Sequence, residues 1–177
     1  LMIGGKGAML NTKKSYPTDK LLALPTVLEL DSIGDDDVKS FVISMIMVQV
    51  YEFRKSQLGN VTKKGLSHVL LIEEAHRLLK NVSTSQGGES ANPQGKAVEF
   101  FCNMLAEIRS YGQGLLISDQ MPTKLAPDVL KNTNLKICHR IVTKEDRELL
   151  GSSMNMTSDQ VESISMFNTG YAAIYSE

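Results

Sequence analysis

Apolar residues follow two spacings along the chain, and the alternation between them predicts its organisation. "HVLLIE" (residues 68–73), "GLLISDQ" (114–120), "LKICHRIV" (135–142) and "GYAAIYS" (170–176) are short, largely apolar runs of strand length, and the first two end in polar residues. "PTVLELDSIG" predicts one more strand, Thr26 to Leu30, ending at Asp31-Ser32. "HVLLIE" is apolar without alternation, the pattern of a central parallel strand covered on both faces.

Helical spacing fills the intervals. After Gly34, "DDDVKSFVISMIMVQVYEFRKSQ" predicts a long helix with Asp35 as N-cap and Asp36 and Asp37 against the positive end of its dipole. Its interior is apolar almost all round, which predicts burial on more than one side. A second helix is expected from about Lys96 to Tyr111, with Val98, Phe101, Leu105 and Ile108 on one stripe. "APDVLKNT" predicts a short helix opened by Pro127, and "TKEDRELLG" one with Thr143 as N-cap, closed by Gly151. "TSDQVESISM" predicts another, capped by Thr157 or Ser158. Residues 1–24 read as an irregular segment, residues 25–177 as the domain, and the polar stretch Asn81 to Gly95 as a mobile loop.

Strands alternating with helices argue for an α/β domain with a mostly parallel sheet. Ligands in such sheets sit beyond the carboxyl ends of the strands, which places "EEAH" and "SDQ" in one region.

Composition narrows the functional classes. The 177 residues carry a formal net charge of −1 and are 42% hydrophobic, so no global field draws the chain to nucleic acid. Any DNA contact would come from local loops or from repetition around an oligomer. Two cysteines and three histidines, none at metal-ligand spacing, argue against a disulfide framework and against zinc. No signal peptide is visible and the most apolar run, Phe41 to Tyr51, is too short for a bilayer, so a cytoplasmic protein is expected.

The candidate chemistry lies at the strand ends. A buried strand ending in Glu73 and Glu74 suits nucleotide hydrolysis: one carboxylate orients magnesium or its waters, the other polarises the attacking water. The competing reading is two acids opening a helix, with His76 a helix-face residue. Gln120 can sense a terminal phosphate or hold a water, or can belong to a polar turn before Pro122. Arg109 can reach a neighbouring subunit's nucleotide, or can serve as a helix C-terminal cation. Arg140, a charge in an apolar run, fits a buried ion pair or a second phosphate-facing arginine.

These pieces, in this order, resemble the HerA/FtsK group of RecA-like P-loop motor ATPases, HerA most closely. "HVLLIEEAHRLL" is similar to a Walker B strand, with Glu-Glu-Ala-His in place of the more general Asp-Glu. "EIRSYGQGLLISDQMPTKLAPDVLKNTNLKICHRIVTKEDRELL" is similar to the region that follows it in that family, and "MFNTGYAAIYSE" to the closing strand. The resemblance runs from about Leu24 to Glu177 and implies a partial RecA-like core. It implies that Glu73 serves magnesium, Glu74 is the catalytic glutamate, Gln120 the γ-phosphate sensor and Arg109 a finger offered to the adjacent subunit. It also implies ATP and Mg2+ as ligands, a homo-oligomeric, hexameric ring, double-stranded DNA as cargo, a nuclease or other effector as partner, and no membrane.

Asp119 and Met121 depart from the commoner Ser/Thr-x-Gln form. No G-x-x-x-x-G-K-[ST] occurs, and "GGKGAM" has Gly7 where Ser or Thr should stand. The chain is therefore expected to be the C-terminal half of a larger ATPase, inactive alone. A superfamily-2 helicase is disfavoured, because its Ser-Ala-Thr and Q-x-x-G-R-x-G-R motifs are missing. A conjugation or type IV secretion ATPase, and a non-hydrolysing ring scaffold that recruits an effector, remain as alternatives.

Overall fold

The computed structural model describes residues 13–57, 65–81 and 93–177, with backbone alone for 93–97. "GGKGAM", Lys63-Lys64 and most of the Asn81 to Gly95 segment lie outside the described residues. The chain forms two compact units, Leu1–Val69 with Ile108–Gly114, and Leu70–Glu107 with Leu115–Glu177.

The first unit holds α1 (Thr18–Ala23) and α2 (Asp36–Ser56). The sequence pattern predicts no helix at α1, and the strand expected at Thr26 to Leu30 is irregular chain. Leu24, Val27 and Leu28 are exposed there, and among the described residues no strand pairs with them. Asp35 caps α2 as expected: its Oδ1 accepts the amides of Asp37 at 2.9 Å and Val38 at 3.2 Å. Burial on α2 is one-sided, contrary to its apolar composition. Met47, Val50 and Tyr51 form the buried stripe, whereas Met45 and Val48 are exposed.

The turn Ile108–Tyr111 packs Tyr111 against Tyr51 with ring centroids 5.7 Å apart. Gly112 follows at φ 72°, and a Cβ there would lie 2.7 Å from the Gly65 carbonyl oxygen, so only glycine fits. Buried Gln113 accepts from Arg54 Nε at 3.2 Å and lies 3.0 Å from His68 Nδ1. Desolvation lowers the pKa of Arg54.

Strands β1 (His68–Glu73) and β2 (Gln113–Ser118) pair in parallel, with α3 (Pro93–Glu107) between them in sequence. The expected two-sided cover of β1 is not observed. Burial alternates along it, leaving Val69 and Leu71 exposed, as is Leu116 on β2.

In the second unit Ile72, Leu78, Leu79, Phe101, Met104 and Val129 are buried. Cys102 and Cys138 are buried and free, and burial pushes both thiols up, with the Asp128 charge adding to Cys102. Pro127 opens α4 (Pro127–Asn132) as the sequence predicts.

Strand β3 (Leu135–Cys138) pairs antiparallel with β4 (Ala173–Ser176), with Lys136 opposite Tyr175 and Cys138 opposite Ala173. This pair departs from an all-parallel arrangement. Its inner face carries Cys138 into a cluster with Met154 and Ile164, while Leu135, Ile137 and Ile174 are exposed.

Thr143 occupies the N-cap of α5 (Lys144–Ser153) without a side-chain bond. Thr157 caps α6 (Ser158–Ser163) through a full capping box with Gln160. Gly151 lies within α5 and does not end it: a Cβ there would meet Val161 Cγ2 at 2.5 Å. Gly151→Ala should therefore lower stability. Overpacking against a stiff valine costs about 1–3 kcal/mol, and alanine's better helix propensity returns only about 1 kcal/mol. Chemical denaturation of the chain checks this, and adding Val161→Ala should recover the loss.

Candidate active site

Strand β1 delivers two carboxylates and then turns sharply. Glu73 is its last residue and is exposed. Glu74 has left the strand and sits in the left-handed region at φ 52°, ψ 44°. A non-glycine residue pays about 1–2 kcal/mol for that conformation, and such outliers concentrate at functional sites. That bend separates Glu73, the last residue of the strand, from Glu74. Its side chain, 40% exposed, stands 3.8 Å from His76 Nε2.

The single helical turn Ala75–Arg77 follows, with Ala75 fully buried. His76 is held there by a residue from the end of β2. Asp119 Oδ2 accepts the His76 backbone N–H at 2.8 Å and lies 2.8 Å from His76 Nδ1. Asp119 Oδ1 accepts the Met121 amide at 2.8 Å, and the side chain is only 3% exposed. Both of its oxygens are thus occupied, and both strand ends hang on one carboxylate.

The chain beyond each turn strengthens this tie. The amides of Asn81 and Ala126 donate to the carbonyls of Lys124 at 2.7 Å and Leu79 at 2.8 Å, flanking a bridge between Lys80 and Leu125. Further on, buried Asp146 accepts the Thr123 amide at 2.9 Å.

The structure thus brings "EEAH" and "SDQ" together, as the strand ends predict. Glu74, His76 and Asp119 form one contiguous group, and Gln120 stands beside them in sequence, exposed. Arg109 is exposed in the turn Ile108–Tyr111, which belongs to the other unit. Arg140 is misplaced by the sequence reading. The strand stops at Cys138 and Arg140 lies beyond it, exposed, which rules out the buried ion pair, one of its two alternatives. Two other cations of this region are buried: Lys136 on β3, which donates to the Thr133 carbonyl, and Arg147, which donates to the Val142 carbonyl and lies 3.6 Å from Glu162. Among the described residues, no group of three or more His, Cys, Asp or Glu is arranged to hold a metal, and no helix is long and apolar enough to cross a membrane.

Comparison with known proteins finds relatives over most of the chain. The chain is 32% identical over 156 residues to the probable DNA double-strand break repair helicase HerA of Methanocaldococcus jannaschii, a match that takes in 88% of the chain. It is 30% identical over 151 residues to the HerA of Sulfurisphaera tokodaii, across 84% of the chain. The chain is HerA-like.

The HerA-like chain spans 28% of the length of each of these relatives. No protein-family profile matches it. Its fold is that of a P-loop NTPase. The genome packaging NTPase B204 from Sulfolobus turreted icosahedral virus 2, in its complex with sulfate, superposes with a TM-score of 0.58 at 16% identity, covering 99% of the HerA-like chain and 72% of the viral one.

The sequence marks His76 only as part of "EEAH" and Asp119 only as a departure from Ser/Thr-x-Gln, and nothing in it links the two. The one signal was that both lie just past the carboxyl end of an apolar strand.

Proposed function

We propose that the chain is part of a HerA-type ATPase that hydrolyses ATP to move along double-stranded DNA. The observation that carries this reading is the junction of the two strand ends through Asp119, which sets Glu74 and the Gln120 loop at one end of the β1–β2 pair. The relatives bear the name of a DNA double-strand break repair helicase, and the neighbouring fold that of a genome packaging NTPase.

This reading takes the phosphate loop, which "GGKGAM" does not supply, from a longer protein of the length of the relatives. Two apolar faces support the longer protein: Leu71 and Leu116 on one strand pair, and Leu135, Ile137 and Ile174 on the other, are exposed. Such contiguous apolar surface marks packing sites.

ATP then lies between adjacent subunits of a ring, six in the form the resemblance implies. Glu74 orients the attacking water and accepts its proton. Gln120 contacts the γ-phosphate, Arg109 reaches in from the next subunit, and Arg140, exposed beyond β3, is available to phosphate. Magnesium needs only one or two protein carboxylates beside phosphate oxygens and water, so Glu73 at the end of β1 suffices as its donor. When bound, the ion neutralises charge developing on the phosphates.

DNA-stimulated ATP turnover by the full-length protein tests this reading. Stimulation by any duplex sequence, weakening as salt rises, is expected of backbone contacts. Stimulation by one sequence alone, or none by DNA in an assembled and active ring, would contradict the DNA motor. An assembled ring without turnover would indicate a scaffold.

A further inference from the structure

The group Glu74–His76–Asp119 contains more than the ATPase reading uses. We infer that His76 is a positioning residue: clamped by Asp119, it sets the orientation of Glu74 and couples it to the Gln120 loop. This rests on the ATPase reading and deepens it.

The geometry leaves the imidazole one orientation. Its backbone N–H and its Nδ1 both meet Asp119 Oδ2 at 2.8 Å. A carboxylate only accepts, so Nδ1 carries a proton and donates it, which fixes the tautomer through that bond. The other nitrogen, Nε2, then faces Glu74 Oε2 at 3.8 Å, and it donates to that carboxylate only when the ring carries its second proton. That distance exceeds a hydrogen bond, and Glu74 is exposed enough to swing the remaining ångström. The backbone of Glu74 is held at φ 52° beside it, so the carboxylate can turn but the chain beneath it is fixed.

Asp119 is the only residue between Ser118, the last of β2, and Gln120. Because its side chain is buried and bonded at both oxygens, a shift of Gln120 toward a γ-phosphate passes to Asp119, from there to the His76 ring, and then to Glu74. Third groups that orient a reactive side chain in this way affect turnover more than binding. A purely structural clamp would instead affect stability and assembly, and would leave kcat at saturating ATP unchanged.

Two substitutions separate these roles in the full-length, DNA-bound ATPase. His76→Asn keeps an N–H donor near the Nδ1 position and leaves nothing facing Glu74. His76→Gln places its amide nitrogen near the Nε2 position. We expect His76→Asn to lower kcat by about 10–100-fold, with ring assembly and the KM for ATP essentially those of the parent, and His76→Gln to recover most of that loss. Parent-level kcat in both variants would overturn the inference, as would loss of assembly and thermal stability in step with activity. Glu74→Gln, measured alongside, separates this failure from that of the ATPase reading. If Glu74→Gln leaves turnover intact, the ATPase reading falls. If it abolishes turnover while His76→Asn retains full kcat, only the role of His76 falls.

Discussion

Replacing Arg109 by alanine is expected to lower ATP turnover of the assembled ring by ~10³–10⁵, with each subunit folded as before. The second half of that expectation comes from local structure. Arg109 is exposed in the turn Ile108–Tyr111, whose anchor is the neighbouring Ile108, 1% exposed. The Gly112 amide donates to the Arg109 carbonyl at 3.1 Å, so the turn is held by backbone and by Ile108, and truncating the arginine leaves both in place. The first half comes from chemistry. Charge spreads over the phosphoryl oxygens during transfer, and a guanidinium brought to them in a site closed to water stabilises it strongly.

The competing role, a cation at a helix C-terminus, is worth only about 0.3–1 kcal/mol and affects stability alone. Mixed rings separate a finger working across the interface from one working within its own subunit. Arg109→Ala and Glu74→Gln subunits, each nearly inactive alone, should regain turnover when co-assembled. Interfaces that pair an intact Glu74 with an intact Arg109 then form again. Rings that stay inactive on mixing would contradict a finger acting in trans.

Glu74→Gln should lower kcat by ~10²–10⁴ and leave ATP binding intact. Glutamine preserves the size of the side chain and can still hydrogen-bond water, but it cannot take a proton at neutral pH. The substitution leaves the left-handed backbone and the His76–Asp119 pair untouched, because those bonds do not involve the Glu74 side chain. A loss of nucleotide affinity matching the loss of rate would assign Glu74 to binding instead. Glu73, exposed at the strand end, should behave in that second way, because a magnesium donor acts on nucleotide affinity as well as on rate.

Much of the fold is legible in the sequence wherever the determinants are local. Asp35 before the long apolar helix and Thr157 with Gln160 around α6 each specify an end through bonds spanning at most three residues, and Pro127 opens α4 through its fixed φ. β1 and β2 are equally legible as apolar runs ending in polar residues. The misreadings share a cause. Thr26 to Leu30 has strand composition, but a strand exists only through a partner, and no strand forms there. The apolar residues of α2 and β1 predict burial all round, yet burial depends on what packs against each face. Arg140 belonged to an apolar run that the structure divides after Cys138.

The site is legible in part for the same reason. Strand ends in an α/β sheet face one region, which brings "EEAH" and "SDQ" together before any coordinates. The bond between His76 and Asp119 joins residues 43 apart and leaves no periodic trace. In the sequence Asp119 is a departure from a motif; in the structure it is the residue on which both strand ends hang.

The most direct measurement is phosphate release from ATP by the full-length protein on double-stranded DNA, beside its Glu74→Gln form at matched ring assembly and nucleotide occupancy. The account predicts DNA-stimulated turnover that the substitution abolishes. Equal turnover by the two proteins would contradict it and remove the end of β1 from the hydrolytic centre.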